Sequence, residues 1–84
     1  MRRVFGILTR RPGGLWEAEF PDLPGCMASA SSVEQLRALA RAAVVAVLRE
    51  RVARGEPEPE LSDWEKLARH PLARGAMLLS IELA

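Results

Sequence analysis

Apolar and polar positions change period along this chain, and the changes divide it into elements. Val4, Phe5, Ile7 and Leu8 form a short β-prone run ending near Thr9, and Arg11-Pro12-Gly13-Gly14 then supplies a chain breaker and flexible turn residues. This predicts a strand over 4–9 and a hairpin loop. Over 15–20 the pattern alternates, with Trp16, Ala18 and Phe20 on one side and Leu15, Glu17 and Glu19 on the other, as a strand with one buried and one wet face requires. Pro21-Asp22-Leu23-Pro24-Gly25 stops it, because proline cannot donate to a ladder and Pro24-Gly25 fits the centre of a type II turn. A third short strand is expected over 26–28.

The period then becomes helical. Ser32-Val33-Glu34-Gln35 has the form of a capping box, in which the hydroxyl and the Gln35 side chain satisfy reciprocal backbone amides. Leu36, Leu39, Ala40, Ala43, Val44 and Val47 recur at spacings of three and four, a stripe suited to lie on the sheet, and Gly55 offers a stop after Arg54. A second stripe, Val45, Leu48 and Val52, lies almost opposite Ala43 and Val47 on the helical wheel and needs its own cover. Two covers are available: a short amphipathic helix over 61–69, opened by Ser62-Asp63-Trp64-Glu65 and carrying Trp64, Leu67 and Ala68, or a second subunit. Glu56-Pro57-Glu58-Pro59-Glu60 between the helices forbids helix and predicts an extended, solvated connector. Pro71 ends the second helix, Gly75 turns the chain, and alternation over 77–83 gives a last strand that pairs most simply with the first. The expected fold class is α+β: a small antiparallel sheet packed on one long helix, in the order β-β-β-α-(short α)-β.

Length and composition narrow the classes of function. Eighty-four residues make one domain, 1–84, with a modest core. A formal charge of +1 gives no large field to draw the chain to nucleic acid or anionic lipid. The single cysteine, Cys26, excludes an intrachain disulfide scaffold and points to a reducing cytoplasm. No apolar run approaches the roughly 20 residues of a membrane span, so no membrane association is expected.

Candidate chemistry is sparse. His70, between Arg69 and Pro71 with no second histidine nearby, reads as a cation at a helix C-terminus rather than a metal ligand. Cys26 reads as a small buried hydrophobe, because no base partner is evident. Glu17 and Glu19 share a strand face and, with Asp22 as a third oxygen ligand, would suit a divalent ion and nuclease chemistry. Solvation alone also places two glutamates on a wet face, and Asp22 suits an Asx-type turn. Arginines at 2, 3, 10 and 11 surround the first strand, and others at 37, 41, 49, 51 and 54 line the helix. A basic edge could meet RNA phosphates, but Trp16 and Phe20 fall on the core face, leaving no evident stacking platform.

The segment Phe20-Pro21-Asp22-Leu23-Pro24-Gly25-Cys26, preceded by a hairpin and followed six residues later by a capped alanine-rich helix, resembles the HicB-like antitoxin family. The likeness runs from Val4 through the connector prolines Pro57 and Pro59 to the final strand. It departs where the family carries Gly-Asp-Thr and this chain has Ala30-Ser31-Ser32. The resemblance implies a partial ribonuclease H-like, or double-stranded-RNA-binding-like, fold without catalysis and without cofactors. It also implies a bacterial, cytoplasmic partner in a toxin–antitoxin system, an inhibitor of a small HicA-type ribonuclease that cleaves messenger RNA with a catalytic histidine. The expected toxin contacts are Glu17, Glu19 and Asp22, whose charge can mimic phosphate. A homo-oligomer, dimer or tetramer, is expected through Val45, Leu48 and Val52. Direct DNA binding is not expected, because nothing after Pro71 has the length of the ribbon-helix-helix or helix-turn-helix segment that many members append. The competing expectations are an RNA-binding module and a ribonuclease H-like domain with residual metal-dependent nuclease activity.

Overall fold

The computed structural model describes residues 2–73 and 76–83. Its elements are β1 (Arg2–Arg10), β2 (Trp16–Glu19), β3 (Met27–Ala30), α1 (Val33–Ala53), α2 (Trp64–Ala68), a 3-10 turn (Pro71–Ala73) and β4 (Met77–Leu83). One antiparallel sheet has the order β3-β2-β1-β4, so the first and last strands pair as expected, with Val4 opposite Ile81. Gly75, expected to turn the chain into β4, lies outside the described residues.

β1 is longer than its apolar run, because its ladder with β4 continues to Arg2 opposite Leu83. β2 stops at Glu19, before Phe20, and β3 starts at Met27 instead of Cys26. Both shifts have one cause. Phe20 and Cys26 are the closing residues of a double turn: the Leu23 amide donates to the Phe20 carbonyl (3.0 Å), the Cys26 amide to the Leu23 carbonyl (2.9 Å), and the Phe20 amide to the Cys26 carbonyl (3.2 Å). Gly25 has φ of 85°, as the third position of a type II turn demands after Pro24. The two turns bring Phe20, Leu23 and Cys26 inward, and Leu23 is wholly buried.

α1 starts at Ser32, whose hydroxyl accepts from the Gln35 amide (3.2 Å). Only half of the expected box forms, because the Gln35 side chain meets the Ser31 hydroxyl instead. At the other end Gly55, with φ of 70°, receives the chain in a Schellman motif, its amide donating to Val52 and that of Glu56 to Arg51. The buried stripe is narrower than the spacing implied. Leu36, Ala40 and Val44 are buried and Ala43 and Val47 pack beside them, but Leu39, about 100° from the stripe's centre on the wheel, is 48% exposed. Small residues on the facing strands, Ala18, Ala28 and Ala30, let the helix lie close to the sheet.

α2 is five residues long instead of nine, and its N-cap is Asp63, which accepts from the Lys66 amide, not Ser62. Ser62 is already engaged: its amide and hydroxyl donate to the two carboxylate oxygens of Asp22 at 2.6 and 2.8 Å. That tie sets α2 beside the β2–β3 loop, where Leu67 is buried and borders a cavity with Pro21 and Asp22. The end of the second stripe of α1 is bordered by the connector and not by α2, and the elements α1 packs on most are β3, β4 and β2.

Gly6 faces Phe20 across the core. A methyl group there would lie 2.7 Å from Phe20 Cε1 and 2.8 Å from Cζ. Gly6→Ala should cost about 1–3 kcal/mol by overpacking, and Phe20→Leu in the same chain should recover part of it, a coupling that urea unfolding of the single and double variants measures. Asp22→Asn, which keeps the volume but leaves one carbonyl oxygen for two donors, should cost about 1–3 kcal/mol and speed hydrogen exchange at the Ser62 amide. Burial pushes the Cys26 thiol up from its ordinary value, so the unfolded chain ionises first. Stability should hold below the ordinary thiol range, about pH 8.5, and fall as pH rises through the raised value; Cys26→Ala should flatten that slope in denaturant titrations.

Candidate partner-binding surface

The register of the sheet sorts the candidate residues by face. Thr9 stands opposite Glu17, Ile7 opposite Glu19, and β3 adds Ser29 and Met27 to the same rows. Glu17 and Glu19 therefore share the sheet face turned away from α1, as alternation predicts, and both are half-buried instead of fully wet. Arg11, at the start of the hairpin loop, donates to Glu17 at 2.8 Å. That hydrogen bond, then the Glu17 charge, hold the Arg11 guanidinium above its ordinary value, and the charge of Glu19 adds to them. Glu19 has no ion-pair partner among the described residues. Around the two carboxylates stand Met27, 49% exposed, and Thr9 and Ser29, both exposed. The result is an acidic centre on rigid strand backbone, with Met27 exposed on one side of Glu19 and Ile7, 3% exposed, on the other.

Asp22 is not part of this group. Its carboxylate is committed to Ser62, a role that holds the loop instead of the Asx-type turn its neighbourhood suggests. No cluster of three or more metal-ligating side chains exists among the described residues, so the carboxylates are not brought together as a metal site. Cys26 is buried and its raised pKa keeps it a thiol, a poor nucleophile. The His70 amide donates to Leu67 just beyond the C-terminus of α2. Trp16 is covered on one side by the Arg10 guanidinium, 5.2 Å from the ring centroid, which leaves that face closed to a stacking base. None of the helices is long and apolar enough to cross a membrane among the described residues.

The second stripe of α1 is divided. Val45 and Leu48 pack against the main core, and Val52 is 78% exposed. The acidic connector, not α2, runs beside its end: Arg2 pairs with Glu58, and Leu48, Val52, Arg51, Glu58 and Pro59 border an open cavity of about 500 Å³. Sequence reasoning missed three features. The Asp22–Ser62 tie and the hydrogen bond from Arg37 to the Ser80 carbonyl join residues about 40 positions apart, which no local pattern reports. Gly6 did carry a signal, since a glycine inside a strand marks a close approach.

Comparison with known proteins agrees with this arrangement. The sequence profile described as HicB-like antitoxin of bacterial toxin–antitoxin system matches residues 8–84. A search of curated protein sequences gave no significant match. Among solved structures, the N-terminal domain of the Burkholderia pseudomallei antitoxin HicB superposes with a TM-score of 0.87 at 20% identity, with 99% of each chain covered. The longer structure of the same antitoxin gives 0.88 at 21% identity, this chain spanning 64% of it. A chain of a HicA3 and HicB3 toxin–antitoxin complex gives 0.80 at 19% identity, with 99% of each covered. At these identities the structures speak for the fold, and the ribonuclease H comparison is a loose description of it. The profile, covering nearly all of the sequence, settles the family: this chain belongs to the HicB-like antitoxins of bacterial toxin–antitoxin systems.

Proposed function

We propose that the chain is a cytoplasmic, non-enzymatic antitoxin that binds a small ribonuclease of the HicA type and inhibits it by covering its RNA-binding or catalytic surface. The observation that carries this reading is the pairing of Glu17 and Glu19 on the sheet face turned away from α1, in a member of an antitoxin family. A ribonuclease surface built to hold phosphates is basic, and two carboxylates on strand backbone offer it a fixed substitute. Arg11 fixes the Glu17 rotamer, so less side-chain freedom is lost on docking. Asp22 serves the same surface indirectly, by holding the loop at its edge. A structure titled as a HicA3 and HicB3 complex, sharing this fold, supports the type of partner. Self-association through Val45, Leu48 and Val52 belongs to the same proposal: Val52 is the exposed end of that stripe.

The neighbouring reading frame should encode a basic chain of about domain size, and the two proteins should co-purify. Glu17→Arg with Glu19→Arg should weaken the complex by about tenfold or more and restore RNA cleavage in a titration of toxin with antitoxin, with the circular dichroism of the fold retained and the unfolding midpoint lowered only by the loss of the Arg11 pair. RNA cleavage by the isolated protein, abolished by either glutamate substitution, would overturn the proposal, as would tight RNA retention with a steep salt dependence. Val52→Glu should lower the mass measured by light scattering toward that of one chain.

A further inference from the structure

β4 is an edge strand of seven residues, paired on one side with β1 and on the other with no strand among the described residues. The carbonyl of Ser80 accepts from the Arg37 guanidinium at 2.5 Å, so it is turned outward, away from β1. In an antiparallel ladder the amide and carbonyl of one residue point the same way, and alternate residues repeat the direction. Leu78, Ser80 and Glu82 therefore present a row of outward backbone groups, of which one carbonyl is covered by a side chain.

The surroundings of that row are basic. Arg3, Arg37, Arg41, Ser80, Ile81 and Glu82 border an open notch of about 290 Å³ along the strand. Arg3 is paired with Glu82 at 2.9 Å. Arg37 spends its guanidinium on a neutral carbonyl, and Arg41, one helical turn further along α1, has no hydrogen bond or ion pair among the described residues. Two like charges at this spacing repel on an isolated helix. Three arginines against one glutamate leave the notch with an excess of two positive charges.

We infer that the β4 edge, with Arg37 and Arg41 beside it, is a second interaction surface that takes an extended, acidic segment of another polypeptide by strand addition. Backbone pairing supplies the affinity in this mode and side chains the choice of partner. Acidic residues of the added strand would meet Arg37 and Arg41, and Arg37 would exchange its carbonyl for a carboxylate as an incoming amide takes over Ser80. A second copy of β4 fits poorly, because antiparallel pairing about Ser80 sets Arg37 and Arg41 against their own copies. RNA also fits poorly: the outward carbonyls and Glu82 repel phosphate, and the outward amides ask for a peptide. This surface is distinct in position and opposite in charge to the Glu17 and Glu19 face, so it leaves room for a toxin there.

The test uses the full chain and a fluorescent, end-blocked seven-residue peptide alternating glutamate and valine. In fluorescence anisotropy the peptide should bind. Analogues with proline for valine, which removes amide donors and keeps charge, or with lysine for glutamate, should bind at least about tenfold more weakly. Arg41→Glu should cost a similar factor with thermal unfolding unchanged, since Arg41 is exposed. In amide NMR spectra the Leu78, Ser80 and Glu82 signals should shift most. Equal binding of the proline analogue, tighter binding of an eight-uridine RNA, largest shifts elsewhere, or no binding at millimolar peptide would each overturn the inference.

Discussion

The packing of Phe20 against Gly6 is the constraint around which this small domain is arranged. Phe20 leaves the β2 ladder after Glu19, and its ring occupies the volume that a side chain at Gly6 would need. A core of this size has few large side chains, and Phe20, Leu23 and Leu36 are among the bulkiest that are fully buried. Each contributes about 1.5–3 kcal/mol by burial, a large part of the net stability of a domain this small. Two of the three belong to the double turn. The chain reversal between β2 and β3 is thus a structural plug as well as a connection, and its prolines fix the path along which the plug enters.

From that turn the placement of the rest follows. Asp22 sits on the outward side of the reversal while Phe20 and Leu23 point in, and its carboxylate catches the amide and hydroxyl of Ser62. A segment that would otherwise leave the acidic connector as free chain is docked at one end of the sheet, and α2 starts one residue later at its Asp63 cap. The cost is that α2 is unavailable to the far end of α1, where Val52 stays exposed and the connector, tied by Arg2 to Glu58, is the nearest neighbour. A half-buried carboxylate bond to one serine thereby decides which apolar side chains are left for partners.

The sequence made the strands, the long helix and both of its ends legible, because each rests on neighbours close in the chain: alternation for β4, Ser32 for the start of α1, Gly55 for its end. Pro24-Gly25 announced its turn for the same reason. What could not be read was set by distant pairs. Ser62 looks like a cap in its local pattern and is a ligand of Asp22 in the fold. Leu39 has the spacing of a core residue and is exposed because it lies about 100° from the centre of the Leu36, Ala40 and Val44 stripe. The pairing of Glu17 and Glu19 on one face was legible from period two alone. The grip of Arg11 on Glu17 was not, since it depends on how the glycine turn folds Arg11 back over the strand.

The sheet ends with its charge divided. Glu17 and Glu19 lie on the inner strand β2 and project from a face, where they meet whatever approaches broadside; Arg37 and Arg41 stand beside the β4 edge, where an approaching chain must align with backbone groups. A near-neutral total charge conceals this, because the two regions nearly cancel in the sum. Near-neutrality therefore argues against a long-range pull toward one polyanion, and it is compatible with two short-range, oppositely charged contacts on different sides of one sheet. A face and an edge select differently, the first by shape and charge over an area and the second by register along a strand, so a small domain with both can hold two partners that do not compete for the same atoms.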